Sequence, residues 1–402
     1  MTPEIKQRIE QIRRGEVPEG YVKTALGLAP ANWKRYTFGD IYTERKEPGD
    51  ENLPLLMVSI HSGVSDGEVD AAELPKQVKR IEDKSQYKKA VSGDLVFNMM
   101  RAWQGAIGTV RTTGMVSPAY IVAEPNDKAY PLFMDYYSRT PQMINQIDRQ
   151  SYGVTDFRKR LYWDSFAPIS CTLPPIEEQQ KIAAILTTQD RVIELKEKCL
   201  AEKQRQKKYL MQQLLTGKKR LPGFAFEVEK TNIKAISTYS VSTISQTMLE
   251  SYEGKQLYPV FNANSIAGHV DFYENECPYI SIIKDGAGIG RVRLCEAKSS
   301  TIGTMGCIHA RKGISIIFLY YLLEQVDFNK YSNGSTIPHL YYKDYSCEKV
   351  RIPDIKEQAA IAEVLSTADR EIELLQQDIE QEKQKKKALM QLLLTGIVRV
   401  KT

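Results

Sequence analysis

Several short patterns in this 402-residue chain carry residue types that make or break bonds in other proteins. Asp285, Glu296 and Lys298 have the order of a D…E-x-K nuclease signature, in which carboxylates hold a metal ion that activates water. In a chain with 50 acidic residues such a spacing arises readily by chance, so nuclease chemistry is not the expectation. Gly286, Gly288 and Gly290 suggest a nucleotide loop, but Arg291-Val292-Arg293-Leu294 continues as a strand where a dinucleotide fold needs a helix. Glycines of a tight turn are the simpler reading. Leu173-Pro174-Pro175-Ile176 has the prolines of an adenine-methyltransferase motif without its polar residue before them or its aromatic after. No G-x-x-x-x-G-K-[ST] phosphate loop occurs. The six cysteines stand alone, Cys307 and His309 lack a second pair of ligands, and His61, His269, His309 and His339 form no cluster. No catalytic residue, metal site or cofactor is expected in this chain.

What must position any functional residue is a pair of long helices. Residues 174 to 220 recur from Pro353 at a constant shift of 179, as Gln179 to Gln358 and Thr216 to Thr395 show. Leu186, Ile193, Leu200, Lys207 and Leu214 fall seven apart, as do Leu365, Ile372, Ile379, Lys386 and Leu393. A seven-residue apolar spacing makes a seam that needs a partner helix, and the obvious partner for each rod is the other copy. A lysine at the fourth seam position costs stability but can fix register or orientation. Pro174 and Pro175 with Glu177 and Glu178 mark the first start, and Asp354 with Glu357 has the spacing of a capping box at the second. Both copies end in Leu-Leu-Thr-Gly, whose Gly217 and Gly396 suit a left-handed helix end. About 42 residues at roughly 1.5 Å each give rods of about 60 Å.

Residues 20–172 and 222–351 read instead as α+β domains with short β-prone runs. These are Leu53 to Ile60, Leu95 to Met100, Ala119 to Ala123, Tyr279 to Ile283 and Ile314 to Tyr321, the last open to a helix. The expected order is a helical segment 1–19, domain 20–172, rod 173–221, domain 222–351, and rod with tail 352–402. Leu161-Tyr162-Trp163 matches Leu340-Tyr341-Tyr342 at the same shift, and Gly105 to Val110 resembles Gly288 to Val292. Ile5, Ile9 and Ile12 lie along one helical face that can cap the end of the second rod. Hydrophobic content of 42%, charged content of 26% and a net charge of +5 are globular and compatible with nucleic acid. The N-terminus lacks an apolar signal core and no run approaches a membrane span, so a reduced cytoplasmic setting is expected.

The arrangement resembles the specificity subunit of type I restriction–modification systems. The markers are the rod entries Leu173 to Ile182 and Ile352 to Gln358, the two Leu-Leu-Thr-Gly exits, Asn32-Trp33-Lys34 with Phe38-Gly39-Asp40-Ile41, Lys284 to Gly290, and Gly334 to Leu340. After Pro222-Gly223-Phe224 the chain departs from the pattern, with Glu227 to Lys234 where a Trp-containing entry belongs. The resemblance implies two target-recognition domains joined by two antiparallel coiled-coil helices in a pseudo-twofold arrangement. Each domain would read half of a split, asymmetric double-stranded DNA target. The implied partners are two modification (methyltransferase) subunits and restriction (motor and nuclease) subunits. The implied modification is adenine methylation, with S-adenosylmethionine, Mg2+ and ATP confined to the partners.

Base edges are read by Arg, Lys, Asn, Gln, Ser and Thr side chains, and phosphates by positive charge. In the first domain this selects Arg101, Trp103 and Gln104 in one loop, and Tyr152, Thr155, Arg158 and Lys159 in another. In the second it selects Lys284 and Arg291 beside the glycine turn, then Asn333, Ser335, Thr336, His339, Tyr342 and Lys343. Lys79, Arg80, Lys84, Lys88 and Lys89 suit phosphate contacts. The charged rod midsections Lys203 to Lys208 and Lys383 to Lys387 read as solvated faces or partner contacts.

Overall fold

A computed structural model describes residues 3–24, 27–50, 52–60, 63–65, 86–153, 159–224, 229–286, 288–334 and 337–400. It combines helices and strands and divides into two compact units, Met1–Leu195 with Glu380–Thr402, and Lys196–Ile379. Each unit contains a stretch of both long helices, Ile176–Leu215 and Ile355–Leu393. No helix among the described residues is long and apolar enough to cross a membrane.

Six of the ten positions in the seven-residue seams are buried, and Leu200, Lys207, Ile372 and Lys386 are half-buried. Leu186, Ile193 and Leu214 are buried on one, and Leu365, Ile379 and Leu393 on the other. In the second unit Lys196 pairs with Asp378, Lys203 with Glu371 and Lys207 with Asp369, so partner numbers fall as helix numbers rise. In the first, Gln189 Nε2 donates to Glu382 and Lys386 pairs with Asp190. The seam lysines thus find carboxylates, Lys207 at 2.6 Å and Lys386 at 2.5 Å. Each also lies over a tyrosine ring, Tyr321 at 5.4 Å and Tyr136 at 5.6 Å. Those tyrosines donate to the same carboxylates, at 2.7 Å and 2.6 Å. Burial, and then the bond to the carboxylate, push both phenol pKa values up. Partly exposed pairs of this kind contribute about 1 kcal/mol or less each, so their weight lies in register rather than stability.

Both helices end as their glycines demand, with Gly217 at φ +69° and Gly396 at φ +72°. The capping box at Asp354 forms only by half. Asp354 Oδ1 accepts from the Lys356 and Glu357 amides, but the Glu357 carboxylate turns to Arg220. The reason is a stronger partner: a buried carboxylate gains more from a guanidinium than from one neutral amide. Glu178 repeats the arrangement, taking Arg399 Nε and Nη2 at 2.7 Å each while Trp33 Nε1 donates at 3.3 Å. In each unit the first turn of one rod is thereby tied to the chain leaving the other. Arg8 Nη1 and Tyr21 Oη donate to the carbonyls of Ile397 and Gly396, which brings the helix Pro3–Arg13 to the end of the second rod.

A buried glutamine joins each domain to its rod. Gln179 Nε2 donates to the carbonyls of Lys128 and Pro174, both at 2.9 Å, and its Oε1 accepts from the Tyr130 amide at 2.8 Å. Gln358 does the same with Gly313, Pro353 and Ser315.

The domains share one sheet topology. The first unit has an antiparallel sheet in the order Tyr42–Glu44, Tyr120–Pro125, Leu95–Asn98, Ile107–Thr109. The second has Ser237–Val241, Met305–Ala310, Tyr279–Ile283, Val292–Cys295 in the same order. Their registers superpose at a shift of 185, with Phe97 facing Ile121 and Ile107 as Ile282 faces Gly306 and Val292. Gly105 therefore corresponds to Gly290, not to Gly288 as the sequence suggests. The helices Pro131–Tyr137 and Ile316–Glu324 pack against these sheets. The second of them resolves the ambiguous run from Ile314: Ser315 caps it, accepting from the Phe318 amide. The run Leu53 to Ile60 yields only the strand Val58–Ser59, because Pro54 lends a ladder its carbonyl but no amide.

Candidate nucleic-acid interface

In each unit a glycine-containing loop is held against a hairpin. In the first, the Leu161 amide donates to Met99 O at 2.8 Å, and Tyr152 and Arg160 pair across the hairpin. The second repeats this with Leu340 donating to Lys284 O at 2.8 Å and Ser332 and Asn333 pairing with Leu340 and His339. The two loops proposed in each domain are thus neighbours. Gly105 (φ +102°) and Gly290 (φ +81°) turn the loops through left-handed backbone, and a Cβ on Gly290 would strike the Phe328 ring.

Arg101 and Gln104 are exposed and make no side-chain hydrogen bond to a described residue. Trp103 is half-buried against the domain core, donates from Nε1 to Met100 O, and lies 5.0 Å from Lys159 Nζ. Lys159 also pairs with Asp148 at 2.8 Å. Tyr152 is 58% exposed, its hydroxyl 2.6 Å from Ser165 Oγ and its ring 6.3 Å from that of Tyr162. Thr155 and Arg158 lie outside the described residues, as do Ser335 and Thr336.

In the second unit Lys284 pairs with Asp285, and Arg291 donates to Ala263 O and Asn264 Oδ1. Asn333 donates to Asp344, and Lys343 lies over the exposed ring of Tyr341 at 5.5 Å. Tyr342 is stacked on Tyr239 at 4.7 Å with its hydroxyl 3.0 Å from Ser237 Oγ, so its ring supports the domain interior. His339 Nδ1 sits 2.7 Å from Asp285 Oδ1. Burial pushes Asp285 up, but bonds from His339 and Lys284 outweigh it and hold the carboxyl below its usual range.

Of the basic cluster, Lys79, Arg80 and Lys84 lie outside the described residues. Lys88 is half-buried, donates to Tyr120 O at 2.8 Å, and has its ammonium pKa lowered by burial. Lys89 pairs with Glu47 at 3.0 Å. Both are engaged within the domain. The D…E-x-K residues do not converge: Asp285 follows one end of the strand Tyr279–Ile283, while Glu296 follows Cys295, which pairs with Tyr279 at the other end. Six strand residues place them roughly 20 Å apart.

Residues 72–204 and 225–384 match the family model described as the type I restriction modification DNA specificity domain. The chain belongs to this family. It is 23% identical over 433 aligned positions to a protein described as the MjaX type I restriction enzyme specificity subunit of Methanocaldococcus jannaschii, covering 96% of this chain and 98% of that one. It is 25% identical to the MjaVIII specificity subunit of the same organism, covering 79% and 83%. The crystal structure of a type I restriction–modification S subunit from M. genitalium has the same fold, with a TM-score of 0.60 at 14% identity over 92% of this chain and 97% of that one. As a specificity-domain protein, the chain has a structural account for its repeated Glu-Gln: the glutamate binds an arginine and the glutamine pins the domain. Sequence reasoning missed the carboxylate–arginine ties and the contact between Asp285 and His339. The retention of Glu178, Gln179, Arg220 and their counterparts at a fixed shift of 179 was the available signal.

Proposed function

We propose that this specificity-domain protein is the non-catalytic reader of a bipartite, asymmetric DNA target and directs adenine methylation and restriction by partner subunits. The observation that carries the reading is a common frame with unlike tips. Both units repeat the glutamine pin, the carboxylate–arginine tie and the Tyr–Asp–Lys contact, while the loops present Arg101, Trp103 and Gln104 in one and Lys284, Asp285 and Arg291 in the other. Residues 20–172 and 222–351 are the two recognition domains. The rods act as an antiparallel coiled-coil spacer that relates them by a pseudo-twofold axis and sets the unread gap between half-sites. Linking two readers makes the second binding event intramolecular and multiplies affinity. Arg101, Gln104, Tyr152, Thr155, Arg158 and Lys159 serve one half-site, with Trp103 as their packed base. Lys284, Arg291, Asn333, Ser335, Thr336, His339 and Lys343 serve the other, with Tyr342 beneath. The duplicated rods offer two equivalent docks for two modification subunits, which supply S-adenosylmethionine chemistry, and restriction subunits supply ATP- and Mg2+-dependent cleavage.

The rival reading is a coiled-coil scaffold that assembles proteins without reading sequence. Fluorescence anisotropy of labelled duplexes across salt separates the two. A reader retains tight binding to its target at moderate salt and loses roughly 1–3 kcal/mol per wrong base pair. Equal affinity for all duplexes, falling together with salt, identifies the scaffold.

A further inference from the structure

We propose that Asp285 and His339 form a paired reader fixing the preferred base at one position of the second unit's half-site, an inference that rests on the DNA-reading function above. The pair is built into the backbone. Asp285 and His339 form an antiparallel bridge, flanked by the Leu340 amide on Lys284 O at 2.8 Å and the Gly286 amide on Pro338 O at 3.0 Å. Both side chains are therefore presented from a fixed base rather than from a free loop tip. Asp285 Oδ1 lies 2.7 Å from His339 Nδ1, and Oδ2 takes Lys284 Nζ at 2.9 Å.

A carboxylate accepts and does not donate, so the proton of this contact sits on Nδ1. A neutral imidazole with that tautomer carries its lone pair on Nε2. The His339 side chain is 42% exposed and Asp285 30%, and no hydroxyl or thiol of a described residue bonds Nε2. Its ring lies 6.5 Å from that of Tyr341, planes at 24°, and Tyr341 is itself 50% exposed beneath Lys343. In the neutral form of the ring, Nε2 is thus an oriented acceptor beside an aromatic shelf and a positive charge. An acceptor in the major groove matches an exocyclic amino group, adenine N6 or cytosine N4, and is repelled by guanine O6 and thymine O4. At the matching hairpin position the first unit carries Arg160, a donor-only group. The two hairpins therefore differ in hydrogen-bonding character at one backbone position. Asp285 is a positioning residue: it holds the tautomer while His339 meets the base.

The test uses the full chain and duplexes carrying its mapped target, each base pair substituted in turn, read by competition anisotropy. The wild type should prefer an amino-bearing base by roughly tenfold or more at one pair of one half-site. His339→Ala should flatten that preference and leave the other half-site within about twofold, which also reports a folded chain. Asp285→Asn can accept or donate at Nδ1, frees both tautomers, and should flatten the same pair. Preferences that persist in either variant, a uniform weakening over all duplexes, or flattening at different pairs for the two variants would overturn the dyad. Absence of any two-part preference in the wild type would instead remove the DNA-reading function itself.

Discussion

Exchanging residues 20–172 for the matching stretch of another family member is expected to change one half of the recognised sequence and leave the other as it was. The first unit's candidate readers, from Arg101 to Lys159, all lie inside the exchanged stretch, and those from Lys284 onward lie outside it. The join is tolerant for a physical reason. Gln179 reaches across it to the Lys128 carbonyl and the Tyr130 amide, which are backbone groups that any donor domain with the same turn supplies. Side-chain ties also cross, from Trp33 Nε1 to Glu178, Tyr136 Oη to Asp190, Tyr21 Oη to the Gly396 carbonyl and Arg399 to Asn32 Oδ1, and a donor lacking Trp33 still leaves Arg399 on the Glu178 carboxylate. Loss of a base contact shifts preference by roughly 1–3 kcal/mol per pair, so replacing a whole reader resets its half completely. Methylated-base mapping of the chimera in cells with the modification subunit checks this. If both halves changed together, the assignment of one domain to one half would be wrong.

Gln179→Ala is expected to destabilise the first unit by about 3 kcal/mol, because a buried amide that satisfies three backbone groups is replaced by a methyl. The Pro174 carbonyl is then buried without this partner, and such a group costs about 1–3 kcal/mol by itself. For a unit of this size that corresponds to a fall of roughly 6–12 °C in its unfolding midpoint. Gln358→Ala should act likewise on the second unit, somewhat less, since its bond to Gly313 is longer at 3.3 Å. Differential scanning calorimetry of the full chain measures both. A fall under about 1 °C for either variant would show that the amide is not what joins domain to rod. The two variants should also separate by half-site, Gln179→Ala weakening discrimination in one and Gln358→Ala in the other.

The rods were legible in the sequence because their cause is local and periodic. A seven-residue seam, bounding prolines and terminal glycines require no knowledge of distant residues. The kinship of the domains was legible only in fragments. Their registers match at a shift of 185 in the sheet but at 179 from Arg160 and His339 onward. The offset changes because the first domain inserts the helix Pro141–Gln150 where the second has only the short turn Phe328–Tyr331. The shift of 179 therefore does not reach upstream of that point, and a local glycine pattern alone sets Gly105 against Gly288 instead of Gly290. The capping box failed for a different reason. Its spacing was right, but Arg220 lies 137 residues before Glu357 and outcompetes the local amide. Asp285 looked like a stray nuclease carboxylate because its partner, His339, is 54 positions away. Local spacing reports turns, caps and seams; pairs made by the sheet become visible only with its register.

The central claim is that two unlike domains on duplicated rods read two unlike half-sites at a set separation. The most direct measurement is a genome-wide map of methylated adenines after co-expression of this chain with the modification subunit proposed for it. The account predicts one split motif, its halves different in sequence, separated by an unread gap of constant length. A continuous motif, a gap that varies from site to site, or methylation without any motif would contradict it.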